Sequence, residues 1–364
     1  MTCCACGSST RLFSLAGAIV LAAGAMYLMQ PNRDGKAPSP AAQEEWRSLS
    51  RDERTAKLLS EYDLSNPKLD LSQFLAPGPR RDGIPSLTAP KRVAVTGVEF
   101  PAPGDRVIEV TIGDQAVAYP LNILNWHEII NDEVGGVPIA ATYCPLCDSV
   151  AVVDRRLERA DGSKRTVELG VSGLLCNSNV VMYDKQTMSL WSQVMMEAVT
   201  GPDSGRGLNH LPFEVIRFDE FQKRHPTGQT LTENTGHERD YRSNPYRDYM
   251  GSNRVFHGFN FRKDLPPHTL GLGVRAGNKE WFVVATDAMD KPITLHTDAG
   301  DITVSATADG VGVASLPKGV SALQTFYHSW SAFHPNTLIV PESAVQREQE
   351  AASKKAEQES TPKE

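Results

Sequence analysis

Ile139-Ala-Ala-Thr-Tyr-Cys144-Pro-Leu-Cys147-Asp-Ser-Val-Ala-Val-Val153 holds two short apolar runs, Ile139 to Tyr143 and Ser149 to Val153. Neither shows a helical period and nothing between them has room for a helix, so both read as strands, with Cys144 to Cys147 as the tight turn joining them. Working outward, Val107 to Tyr119 reads as a hairpin turning at Gly113-Asp114, and Leu270 to Val283 as another turning at Gly277-Asn278. Between the first hairpin and the cysteines, Pro120-Leu-Asn-Ile-Leu-Asn-Trp-His127-Glu-Ile-Ile-Asn131 reads as a helix with Pro in its first turn. The expected fold class is α+β, predominantly antiparallel β with short helices.

Three blocks recur in the same order, which points to an internally duplicated domain. The two hairpins form the first match. Pro138 to Tyr143 with Val150 to Val153 corresponds to Asp301 to Ala306 with Val313 to Leu316, and Phe221 to Leu231 to Trp330 to Leu338. His225 and His334 each precede a Pro at an expected helix end, where an imidazole can meet the last carbonyls. The first copy carries the thiols where the second has Thr307-Ala-Asp-Gly310, so the first is expected to hold the chemistry and the second to be scaffold. The division is 1–37 as a membrane anchor or signal segment, 38–92 as a helix and Pro-rich linker, 93–341 as the duplicated domain (repeats about 93–231 and 265–341), and 342–364 as a polar tail.

The 364 residues are 40% hydrophobic and 22% charged with a formal net charge of -7, which excludes a largely disordered chain and a general nucleic-acid binder. Leu12 to Met29 is an uncharged run of eighteen residues, long enough as a helix to approach the roughly 30 Å hydrocarbon thickness. It is expected to anchor the protein in the membrane, or to be cleaved as a signal peptide, with the remaining chain outside the cytoplasm. Cys3, Cys4 and Cys6 precede that run and take no part in a site on the other side.

Cys144 and Cys147 are the chemically informative pair. In thiol-disulfide oxidoreductases C-x-x-C opens a helix whose dipole activates one thiol, and no helix is expected here. A turn between strands is the setting of the Cys-Pro-x-Cys knuckles of zinc-ribbon and rubredoxin-type sites, with Asp148 at a position that favours a left-handed residue. One knuckle gives two ligands, and His127, at the inner edge of the helix stripe Ile123, Trp126 and Ile130, is the candidate third. Two thiolates and one imidazole suit copper or zinc. A core histidine, a redox-active dithiol and a structural disulfide are the competing readings, and Cys176 reads as a small core residue. Asn177, Ser178, Asn179, Tyr183, Asp184, Trp191 and Gln193 either line a pocket or cap the turns of a hairpin at Asp184 to Thr187.

Several blocks together, Tyr119-Pro-Leu-Asn-Ile-Leu-Asn-Trp-His-Glu-Ile-Ile-Asn-Asp132, Thr142-Tyr-Cys-Pro-Leu-Cys147, Val181-Met-Tyr-Asp184, Ser189-Leu-Trp-Ser-Gln193 and Phe333-His-Pro335, resemble a bacterial domain-of-unknown-function family, number 3179. The resemblance spans roughly 93–340 and implies no activity. Asp148 stands where that family's pattern usually has Gly, and Cys176 where a residue other than Cys is usual. The sequence thus reads as a membrane-anchored extracytoplasmic protein with a metal or redox site on Cys144, Cys147 and His127. A thiol-disulfide oxidoreductase and a non-enzymatic surface binding or assembly module with a structural disulfide are the alternatives.

Overall fold

The computed structural model describes residues 39–159, 162–252, 254–257, 260–341 and 343. The Leu12 to Met29 run, the three N-terminal cysteines and most of the polar tail lie outside the described residues. Among those described, no helix is long and apolar enough to cross a membrane. Strands account for 39% and helices, all short, for 17%, so the class is α+β with sheets predominating.

Both expected hairpins form. Arg106–Ile112 pairs antiparallel with Gln115–Pro120, and Leu270–Ala276 with Lys279–Val284. Their turns need Gly113 and Gly277, at φ 62° and 59°, where a side chain would be strained. After the first hairpin the helix covers only Leu121–His127. Glu128 turns to φ 56°, and the β-branched pair Ile129-Ile130 goes instead into the strand Ile129–Val134. The stretch from 41 to 63 is likewise two helices, Pro40–Ser48 and Arg51–Leu59. Ser50 starts the second, accepting from the Glu53 amide while its own amide donates to the Glu53 carboxylate. Trp46 and Leu58 from these helices share a buried cluster with Leu174, Val181 and Tyr183.

Three larger sheets carry the molecule. One of five strands is built around Leu169–Cys176 and Asn179–Asp184, and one of eight around the 106–120 hairpin. In the nine-stranded sheet the cysteine hairpin, Val137–Cys144 with Ser149–Asp154, lies beside Val320–Phe326 through Val150 and Gln324. Phe213–Arg217 pairs antiparallel with Arg106–Ile112, and Gln229–Leu231 pairs parallel with Gln115–Pro120. Likewise Val320–Phe326 pairs antiparallel with Leu270–Ala276, and Leu338–Val340 pairs parallel with Lys279–Val284. Between each pair of strands sits a seven-residue helix, Phe218–Arg224 or Tyr327–Phe333. His225 and His334 are the residues that end these helices, yet their rings meet carboxylates, Glu109 at 2.8 Å and Glu280 at 2.7 Å, rather than the last carbonyls.

Candidate functional site

The strand register runs unbroken to Cys144 opposite Ser149, which leaves Pro145 to Asp148 as the turn. The Cys147 amide donates to the Cys144 carbonyl at 3.1 Å and tightens it. Asp148 closes the turn at φ 44°, a conformation its short side chain tolerates. Its carboxylate accepts two hydrogen bonds from Arg106, at 3.0 and 2.9 Å, and one from the Tyr143 hydroxyl at 2.9 Å. Burial alone would lower the Arg106 pKa, but Asp148 outweighs it and holds the guanidinium above its ordinary value. Cys144 and Cys147 are free thiols, 1% and 0% exposed. Burial, followed by the neighbouring Cys147, pushes the Cys144 thiol well above its usual range.

The backbone around the thiols holds several left-handed residues. Of the nine described non-glycine residues with positive φ, four adjoin the pair: Glu128, Asp148, Asn177 and Ser178. Asp and Asn tolerate this shape, and a two-residue hairpin turn such as Asn177-Ser178 takes it at both positions, so the costly case is Glu128, on the order of 1–3 kcal/mol. Asn177 and Ser178 form the turn between Leu169–Cys176 and Asn179–Asp184, and the Ser178 carbonyl accepts from the Cys144 sulfur at 3.7 Å. The Glu128 carboxyl is raised well above its normal pKa by burial, with Cys144 adding to the effect. Gln193 ties this hairpin to the cysteine hairpin: its amide oxygen accepts from Ser149 at 2.6 Å and Asn179 at 2.9 Å, and its nitrogen donates to Thr142 at 3.1 Å. Asp184 accepts from the Thr187 amide and from the Trp191 indole, so these two polar residues brace the hairpin.

The other wall comes from the far end of the chain. The Phe326 amide donates to the Cys147 carbonyl at 2.8 Å, and Gln324 donates to the Asp148 carbonyl at 3.1 Å. Two residues beyond Phe326, His328 places its Nε2 3.9 Å from the Cys147 sulfur. Its Nδ1 lies 2.9 Å from the Pro267 carbonyl, which can only accept, so the proton sits on Nδ1 and the Nε2 lone pair faces sulfur. Burial lowers the His328 pKa to about 4, keeping the ring neutral. The part of the chain expected to be scaffold therefore supplies the imidazole nearest the thiols. His268 stacks on Phe326 with centroids 4.5 Å apart, and Tyr249 donates to the Leu146 carbonyl at 3.0 Å.

The structure brings Cys144 and Cys147 together and commits His127 elsewhere. His127 Nδ1 donates to the Pro85 carbonyl and Nε2 accepts from the Tyr241 hydroxyl, both at 2.7 Å. Helix geometry did aim His127 inward, but the helix stops at that residue and the ring turns away into these two bonds. Cys176 packs with Trp46, Leu58 and Phe74 in a different core cluster from the pair. Sequence reasoning missed His328, which no spacing motif links to residues 181 positions away. The available signal was a His at the second position of the short helix Tyr327–Phe333, where the helix Phe218–Arg224 has Asp219. Among the described residues no group of three or more His, Cys, Asp or Glu side chains is arranged to hold a metal ion.

Comparison with curated proteins and with solved structures gave no match. The profile of one family, described as a protein of unknown function, DUF3179, matches residues 81–318. That span takes in both hairpins, the cysteine turn and the inserted 169–184 hairpin, and it covers well over half of the chain. By that match the chain belongs to the DUF3179 family.

Proposed function

We propose that Cys144, Cys147 and His328 bind a copper or zinc ion in a domain held outside the cytoplasm by the Leu12 to Met29 segment. The observation that carries this reading is the His328 ring, with Nδ1 tied to Pro267 and Nε2 turned to the Cys147 sulfur. A metal-binding imidazole is usually held in this way by a backbone acceptor on its other nitrogen. With metal bonds of about 2.3 Å to sulfur and about 2.05 Å to nitrogen, the two donors stand about 3.5 Å apart in a tetrahedral site and about 3.8 Å apart in a trigonal one. The 3.9 Å separation is nearest the three-coordinate value. Burial separates this reading from thiol-disulfide exchange, because a protein disulfide needs an exposed attacking thiolate whereas an ion does not.

Metal analysis of untagged protein under reducing conditions tests the proposal. One copper or zinc per chain is expected in the wild type, none in Cys144→Ser or Cys147→Ser, a reduced content in His328→Asn and an undiminished content in His127→Gln. Wild-type protein without metal, or Cys147→Ser retaining it, would overturn the reading. A reduced, metal-free pair that cycles with a dithiol reagent would replace it with the redox alternative.

A further inference from the structure

A cavity of about 400 Å³ lies between the segment leading into Leu270–Ala276, the helix Ala285–Asp290 and the turn at Thr307. His268 and Met289 both line it. Met289 is 44% exposed, one of two large apolar side chains so open among the described residues. On the inner side, the His268 and His328 rings lie 5.4 Å apart between centroids, and both contact Phe326. The backbone of Ser252 and Arg254 faces the His268 ring. The cavity thus offers a thioether and an imidazole, and the His268 ring lies beside His328, which faces the Cys147 thiol.

We infer that this cavity is the route by which cuprous ion reaches the site, handed from Met289 to His268 and then to His328 and Cys147. The inference rests on the metal-binding reading of Cys144, Cys147 and His328 and adds which ion is carried and where it enters. Thioether and thiolate select the soft monovalent ion, and the three-donor end point suits it, whereas zinc favours four ligands. Passage is ligand exchange without change of oxidation state; the Met289 thioether binds as a neutral donor, and one thiol proton is released to the buffer as each copper-cysteine bond forms. Met289 supplies no donor to the end site, so its sulfur affects the rate of arrival and not the final occupancy.

Anaerobic stopped-flow loading from the cuprous bicinchoninate complex tests this, with end-point copper measured on the same samples. Met289→Leu, which keeps the shape and removes the sulfur, is expected to slow loading about threefold, and His268→Asn about tenfold, within the span over which association rates vary among mutants. Both are expected to reach the wild-type end point. Zinc loading should be unchanged in Met289→Leu. Wild-type cuprous rates in Met289→Leu, equal slowing of zinc, or loss of end-point copper in folded His268→Asn would each overturn the route. Failure of the wild type itself to take up copper would instead overturn the metal site, so the two failures are distinguishable. Met289→Leu lies at the surface, which keeps the test available if His268→Asn does not fold.

Discussion

Arg106 holds Asp148 by both guanidinium nitrogens, at 3.0 and 2.9 Å, on the residue that follows the second cysteine. Removing one partner leaves the other charge buried without compensation, which costs on the order of 3–5 kcal/mol. Asp148→Ala is therefore expected to lower the urea midpoint strongly, and Arg106→Met combined with Asp148→Asn to recover much of the loss. A double variant no better than the single one would show that the pair is not the reason Asp148 matters.

Gln193 meets Ser149, Asn179 and Thr142 inside the protein, and Leu at this position would strand their polar groups. Gln193→Leu should cost about 1–3 kcal/mol for the partners left unsatisfied. Thiol labelling should rise in parallel, because the 169–184 hairpin that covers Cys144 loses its tie. Unchanged labelling in a destabilised variant would confine Gln193 to stability.

At Gly273 an added Cβ would overlap the Trp330 ring, which belongs to the same helix as His328. Gly273→Ala should cost about 1–3 kcal/mol through overpacking and also loosen metal retention, since the ring can yield only by moving the helix. Trp330→Phe in the same chain should restore part of both losses. Metal retention that does not follow stability would separate the helix position from the site.

His127 and His210 are held neutral, burial pulling their pKa values down to about 3 and about 4. Both lie below the ordinary value near 6.5, so the unfolded chain binds the additional protons as the solution is acidified. Stability is then fully present above about pH 6.5 and is lost progressively as the pH falls toward about 4 and then 3. Urea midpoints measured from about pH 8 to about pH 4 should show that decline, with a shallower slope in His127→Gln. An identical slope in the variant would remove His127 from the explanation.

Cys176 lies in the cluster with Trp46 and Leu58. Cys176→Ala is expected to cost about 1 kcal/mol and to leave metal content unchanged. Loss of metal would make it a ligand after all.

Local chemistry explains which parts of this architecture were readable beforehand. The cysteine turn was legible because strand, turn and strand are contiguous, and the left-handed Asp148 because short polar side chains tolerate that shape. The hairpins were legible through Gly113 and Gly277. The end of the helix at His127 was not, since helical spacing continues through Ile130 and only pairing with Val137–Cys144 makes Ile129-Ile130 a strand. His328 was not legible either, because its place beside Cys147 is set by the Phe326 amide meeting the Cys147 carbonyl, a contact between distant segments that no local window contains.

That same contact has a consequence in time. The thiols are made 181 residues before the imidazole that faces them. At about 5–20 residues per second, a growing chain carries Cys147 without that wall for about 10–35 s before Val320–Phe326 can seat beside it. Cys147 is therefore most open during biosynthesis, and its cover is completed only when Phe326 and His328 arrive. A chain cut short before residue 328 would keep the reactive sulfurs and lack their cover, which makes the accessibility of Cys147 a reporter of whether this protein was finished.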